Sequence, residues 1–180
     1  SLALRPRDIR THEVYARFLL DAGRYAQAVE IGRALVQLDR DRSQGYALFA
    51  EALFNTGEFA GAIQAARQAV ANDLGNRAAI MTIADSYYYL GDYARAGQIY
   101  LQAARLGPDD PFAEGGMANS LAQAHEAAAD EQARMAYLRA RLLAKRAVDS
   151  AQSDVRTILA LAYYCATLGD VACAEQQQAS

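Results

Sequence analysis

The chain has 180 residues, 53% hydrophobic and 22% charged, a balance that belongs to a folded chain and excludes a disordered one. Its net charge of −3 argues against a nucleic-acid binder. No run approaches the roughly 20 apolar residues that a membrane-spanning helix needs, and two cysteines are too few for a disulfide framework or a zinc site.

Residues 1–8, with Pro6 near the end, read as the last turn of a helix closing a preceding unit. From Ile9 a pattern then repeats. Gly23-Arg24-Tyr25 with Ala28, Gly57-Glu58-Phe59 with Ala62, and Gly91-Asp92-Tyr93 with Ala96 follow one another at a spacing of 34 residues. Gly169-Asp170-Val171 with Ala174 repeats the pattern later. A fixed period of this size predicts stacked helical hairpins. With each glycine numbered 15, units start at Ile9, Ser43, Arg77 and Val155. Position 8 is Ala16, Ala50, Ala84 and Ala162, and position 20 is Ala28, Ala62, Ala96 and Ala174. Two antiparallel helices approach closely only where the facing side chains are small. Positions 4, 7, 8 and 11 form one apolar face of a 3.6-period helix and positions 17, 20, 24, 27 and 28 a second. Glycine 15 supplies the left-handed residue that ends the first helix. Glu58, Asp92 and Asp170 then open the second, where the helix dipole favours an acid.

The fourth unit breaks the period: Gly91 to Gly169 is 78 residues, two repeats plus ten. Asp110 and Pro111 predict a capped helix start, with Met117, Ala118 and Leu121 at positions 7, 8 and 11. Residues 123–134 contain neither Gly nor Pro and are good helix formers. The expectation is that the insertion lengthens both helices of this hairpin, with Asp130 capping the second, and is either a partner contact or a tolerated surface insertion. Gly115-Gly116 predicts a locally weak helix or a close helix approach.

Small residues at 8 and 20, glycine at 15 and an aromatic residue at 17 resemble the tetratricopeptide repeat. Pro108 fits that family's position 32; Arg40 and Leu74 depart from it. The resemblance implies an all-α, right-handed superhelical solenoid of antiparallel helix hairpins. About five units are expected: 9–42, 43–76, 77–110, 111–154 with the insertion near 123–134, and a truncated 155–180. Both ends fall mid-unit, so the reading is a fragment of a larger protein, and abundant Ala and Arg suggest a bacterial one.

In that family the concave groove carries positions 2, 5, 9, 12 and 13 of each first helix. The groove residues so implied are Arg17, Glu51, Phe54, Asn55, Met81, Asp85, Tyr88, Tyr89, Asn119 and Tyr163, with Phe54, Met81, Tyr88 and Tyr89 as an aromatic patch. Tyr87, at position 11, is assigned to the core. Members that hold a chaperone's C-terminal carboxylate use Lys at position 5, Asn at position 9 and basic residues at 2 and 6 of a later unit. Glu13, Val14, Ala47, Leu48, Met81 and Thr82 stand at positions 5 and 6 here, so chaperone-tail binding is not expected.

The residues show no catalytic, nucleotide-binding or metal-binding motif. His12, at position 4, reads as a packing residue and His125, beside Glu126, as a solvated one. Cys165 and Cys173 flank the Gly169 turn; a cross-hairpin disulfide would imply an oxidising compartment, whereas a buried Cys165 and a more exposed Cys173 favour two separate thiols. The function expected is a non-enzymatic scaffold without cofactor or metal, gripping a protein or peptide segment and inserting into no membrane. The alternatives are a self-associating array, with a weak homodimer through exposed terminal hairpins, and a docking region of a larger enzyme, secretion or polysaccharide-export machine.

Overall fold

The computed structural model describes residues 8–124, 129–150 and 154–178. Among them are ten α-helices and no strand. The chain divides into two compact units, 1–91 and 92–180.

The first unit contains α1 (Ile9–Asp21), α2 (Tyr25–Leu38), α3 (Ser43–Asn55), α4 (Phe59–Asn72) and α5 (Arg77–Tyr89). Each helix packs on the next, and α1 on α3 and α3 on α5 also touch. The odd-numbered members are the first helices of the repeats and the even-numbered ones the second. The predicted turn glycines adopt left-handed geometry, with φ of +69° at Gly23 and +83° at Gly57. At Gly57 the turn closes with two bonds, Gly57 N–H to Phe54 O (2.9 Å) and Glu58 N–H to Leu53 O (2.9 Å), which satisfy carbonyls the helix would leave open. Alanines at positions 8 and 20 lie where the helices meet: Ala16, Ala28, Ala50 and Ala62 are all buried. Links between hairpins are polar as well as apolar. Asn76 caps α5 by accepting from Ala79 N–H (3.0 Å). Its amide donates to Ser43 Oγ (2.7 Å), which donates to Ala69 O (2.7 Å).

The second unit contains α6 (Tyr93–Leu106), α7 (Pro111–Gln123), α8 (Ala129–Asp149), α9 (Val155–Thr167) and α10 (Val171–Gln178). Successive helices again pack in order, and α7 touches α9. Asp110 caps α7 through Phe112 N–H (2.9 Å), with Pro111 in the first turn as expected. Asp154 caps α9 through Thr157 N–H (2.9 Å). That backbone bond, then those from the Thr157 hydroxyl and Arg156, hold its carboxyl below the usual range. Ala96, Ala118 and Ala174 are buried at positions 20, 8 and 20, while Ala162 is half-buried.

Two expectations need correction here. The insertion does not lengthen both helices of the fourth hairpin. The first, α7, has 13 residues like its counterparts, and the second, α8, has 21 against 14 for α2, α4 and α6. Asp130 lies in the first turn of α8, after its start at Ala129, rather than capping it. Ala133, Ala136, Tyr137, Ala140 and Ala144 explain the asymmetry: they form a buried face at helical spacing along α8. The second correction concerns the cysteines. They are bonded to each other with Cα atoms 5.8 Å apart, inside the range a disulfide spans. Assigning each to a separate face overlooked that the Gly169 turn, at φ +79°, folds position 19 back onto position 11.

His125 and Glu126, the earlier turn read into residues 1–7, and part of the insertion lie outside the described residues.

Candidate functional site

The first-helix faces carry the candidate residues, and the two units furnish them differently. In the first unit the rings of Phe54, Phe59 and Tyr89 form a triangle: centroids are 5.6 Å apart for Phe54–Phe59, 5.5 Å for Phe54–Tyr89 and 5.4 Å for Phe59–Tyr89. The Phe59 and Tyr89 rings are stacked within 14° of parallel. Tyr88 meets Tyr89 edge-on at 6.0 Å. Tyr89 is 65% exposed, whereas Phe54, Phe59 and Tyr88 are half-buried. Tyr87 is buried, as read, and its hydroxyl accepts from Arg67 Nη2 at 2.8 Å.

Phe59 is the member that sequence reasoning missed. It occupies position 17, where an aromatic residue is part of the repeat pattern and was assigned to packing. The signal was available: position 17 starts the second helix directly after the turn and adjoins positions 12 and 13 that end the first. Met81 stands two turns, about 10 Å, before Tyr88 on α5 and is half-buried. The ring cluster is therefore built on Phe59 rather than on Met81.

Position 9 forms pairs one repeat apart. In the first unit Arg17 Nη1 donates to Glu51 Oε1 at 2.9 Å. In the second, Tyr163 Oη donates to Asn119 Oδ1 at 2.9 Å. The same Asn119 oxygen accepts from Tyr137 Oη of α8 at 2.7 Å. Two hydroxyl donors on one carbonyl oxygen fix which way the amide faces. Tyr163 is 49% exposed and packs edge-on against Tyr164 (5.7 Å) and Tyr137 (6.4 Å). Asn55, exposed at the end of α3, donates to Glu51 O at 2.8 Å. Asp85, at position 9 of α5, is half-buried.

Behind this face the second unit is tightly built. Tyr164 is buried and donates to Pro111 O at 3.1 Å. Burial, with the Asp110 carboxylate and Tyr163 adding to it, pushes its hydroxyl above the ordinary tyrosine range. In the first unit Arg42 donates to both oxygens of Glu13, the Nη2–Oε2 bond being 3.0 Å. His12 is buried, its Nδ1 2.9 Å from Asp8 O, which gives it the packing role read for it. Among the described residues no group of three or more His, Cys, Asp or Glu converges on one point. No described helix is long and apolar enough to cross a membrane.

Paired helices closed by left-handed glycines, packed through alanines and presenting aromatic and polar side chains on their first-helix faces, define a helical-repeat scaffold. The tetratricopeptide repeat pattern matches residues 78–110, and solved structures that share the fold include tetratricopeptide proteins; the chain has the tetratricopeptide-repeat fold. It is similar to MamA, with a TM-score of 0.73 and 19% identity over 82% of this chain and 85% of that one. Human IFIT1, solved as a dimer with m7Gppp-AAAA, gives 0.75 at 17% identity over 98% of this chain and 42% of that one. YrrB, described as a TPR protein with an unusual peptide-binding site, gives 0.64 at 12% identity over 98% of this chain and 86% of that one. No curated protein sequence matches. At these identities the likeness is one of fold.

Proposed function

We propose that the chain is a non-enzymatic scaffold that holds a segment of a partner protein on the first-helix faces of its repeats. The observation that carries the reading is the aromatic cluster of Phe54, Phe59, Tyr88 and Tyr89, with Tyr89 65% exposed. Large rings left in water at the ends of first helices represent unused burial, and aromatic residues are enriched where proteins meet. Tyr163, at position 9 of α9, is also exposed in the second unit. A peptide site on YrrB supports a peptide as ligand class. The IFIT1 structure holds m7Gppp-AAAA, but a net charge of −3 opposes a phosphate backbone. The high Ala and Arg content supports a bacterial source.

Capture of a partner from the source cell, followed by titration, tests the reading. Phe54→Ala and Tyr88→Ala should each weaken binding by about 1–2 kcal/mol, as truncated interface anchors do. Unchanged affinity in both variants sinks it.

A second reading, self-association, has its own observation. Val14 and Phe18 on α1 are 72% and 57% exposed, although the residues one repeat later, Leu48 and Ala52, are buried.

A further inference from the structure

We infer that the outward face of α8 is a second docking surface, separate from the first-helix faces, and that it takes a short acidic helix of a partner protein. α8 is held in its unit by an alanine face, where Ala133, Ala136, Ala140 and Ala144 are buried, and it packs on α7 and α9. The opposite face carries Met135, Leu138 and Leu142 at i, i+3 and i+7, one stripe of a 3.6-period helix. Met135 is 47% and Leu142 50% exposed, and Leu138 is half-buried. Among the described helices no other packs on α8, so the stripe stays in water.

Charge decides what covers it. Between Gln132 and Val148 there are five cations and no acid, in a chain whose net charge is −3. Helical spacing places four of the five along the edges of the stripe. Arg139 and Arg146 follow Met135 and Leu142 by four residues on one edge. Arg134 precedes Leu138 by four and Lys145 follows Leu142 by three on the other. Arg139 is turned to Glu114 at 3.1 Å, and Lys145 makes a surface pair with Asp149 at 3.2 Å. Arg134 and Arg146 are exposed and have no carboxylate partner among the described residues. One edge each therefore offers an open guanidinium beside exposed apolar carbon.

A helix whose own i, i+3 and i+7 apolar ridge lies along this one, with carboxylates beside it, complements both features. Burial of Met135 and Leu142 drives the contact, and a carboxylate accepts two parallel N–H bonds from each guanidinium. The ends set the length. Glu131 and Asp149 stand on the line of the stripe, four residues before Met135 and seven after Leu142, and repel an acidic ligand that runs past them. The basic window from Arg134 to Arg146 is about 18 Å of helix, or about three turns. The same two acids would be pressed against the headgroups of an anionic lipid surface, which favours a short protein segment over a membrane.

The test uses the full chain with 13C-labelled Met and Leu methyl groups and two capped peptides of about three helical turns. One carries Leu at i, i+3 and i+7 with Glu on both sides; in the other every Glu is Gln. The Glu peptide should shift the Met135 and Leu142 methyl signals in a saturable titration. It should bind about three- to tenfold tighter than the Gln peptide, as two or three exposed ion pairs allow. Arg134→Gln combined with Arg146→Gln should close that margin, and Leu142→Ser should weaken both peptides. All three side chains are exposed, so the helical circular dichroism should hold. Phe54→Ala and Tyr88→Ala should leave the titration as it was, so this face stands or falls apart from the first-helix reading. Equal affinity for the two peptides, no shift at either methyl, or an undiminished margin in the double variant overturns the inference. Binding of phosphatidylserine vesicles without binding of the Glu peptide overturns it in favour of a membrane. Methyl shifts that follow protein concentration alone overturn it in favour of a second copy.

Discussion

Gly115 and Gly116 stand side by side in α7 and each receives a tyrosine. A Cβ on Gly115 would meet Tyr164 Oη at 2.0 Å, and one on Gly116 would meet Tyr100 Cε1 at 2.4 Å. Both rings are buried, so neither can swing aside. Alanine usually stabilises a helix interior over glycine by about 0.5–1 kcal/mol, while overpacking a core costs about 1–3 kcal/mol. The second effect wins here: Gly115→Ala and Gly116→Ala should each lower stability by about 1–2 kcal/mol in urea unfolding. Gly97→Ala in α6 of the same unit should do the opposite and gain up to about 1 kcal/mol. Its Cβ would meet Ser120 Cβ at 3.5 Å, an ordinary contact. Destabilisation of all three alike would mean that helix register, not ring packing, sets the requirement. The sequence left Gly115-Gly116 open between a weak helix and a close approach, because the residues that fill the space lie up to 49 positions away. The same holds for the candidate site. Tyr88, Tyr89 and Phe54 were legible by repeat position, but which rings touch was not, and Phe59 was hidden by doubling as a repeat-pattern residue. The pairing of Arg17 with Glu51 and of Asn119 with Tyr163 was within reach, since both pairs join the same position in successive repeats.

At the level of elements the hairpin is the unit, and α9–α10 is the one with a covalent tie. The second helix of this hairpin is described over Val171–Gln178. Ala174 supplies its buried apolar contact, and Asp170 Oδ1 accepts from Cys173 N–H at 3.1 Å at its start. The Cys165–Cys173 bond closes an eight-residue separation, worth about 2–3 kcal/mol against opening by chain entropy. Reduction, or Cys173→Ser, should therefore raise hydrogen exchange in residues 171–177 by about 30- to 150-fold at this free energy, while α6–α8 exchange as before. Unchanged protection in α10 after reduction would show that packing alone holds it. The helix boundaries were legible because glycine at a left-handed turn is a local signal, and φ between +69° and +83° at the four repeat glycines is what that signal demanded. The allocation of the insertion was not legible. Good helix formers across residues 123–134 permit extension of either helix, and only the buried alanine face of α8, with Tyr137 reaching Asn119, assigns the added length to the second helix.

For the whole molecule the issue is which exposed surface carries association, because two aromatic ones compete. The first-helix aromatic cluster, with Tyr89 exposed, suits a partner segment. The α1 surface is different. Val14 and Phe18 lie exposed on α1 beside Arg10, and their equivalents in the next two repeats are buried: Leu48 and Ala52 in α3, Thr82 and Ser86 in α5. A face that α3 and α5 bury in the same unit is suited to meet a helix. Two side chains and the neighbouring Tyr15 form a small patch, below the roughly 1,200 Å² of a stable interface, so a contact through it between two copies should be weak. Light scattering over a concentration series should then show mass rising only at high protein concentration. Phe18→Glu should return the chain to a monomer at every concentration, since a carboxylate in a dry helix contact goes unpaired. Its melting temperature should hold, because the residue is 57% exposed. Partner capture through Phe54 and Tyr88 should also be unaffected, since those residues lie on α3 and α5 rather than on α1. A strict monomer before substitution rules out self-association, and loss of partner capture in Phe18→Glu would make the two surfaces one.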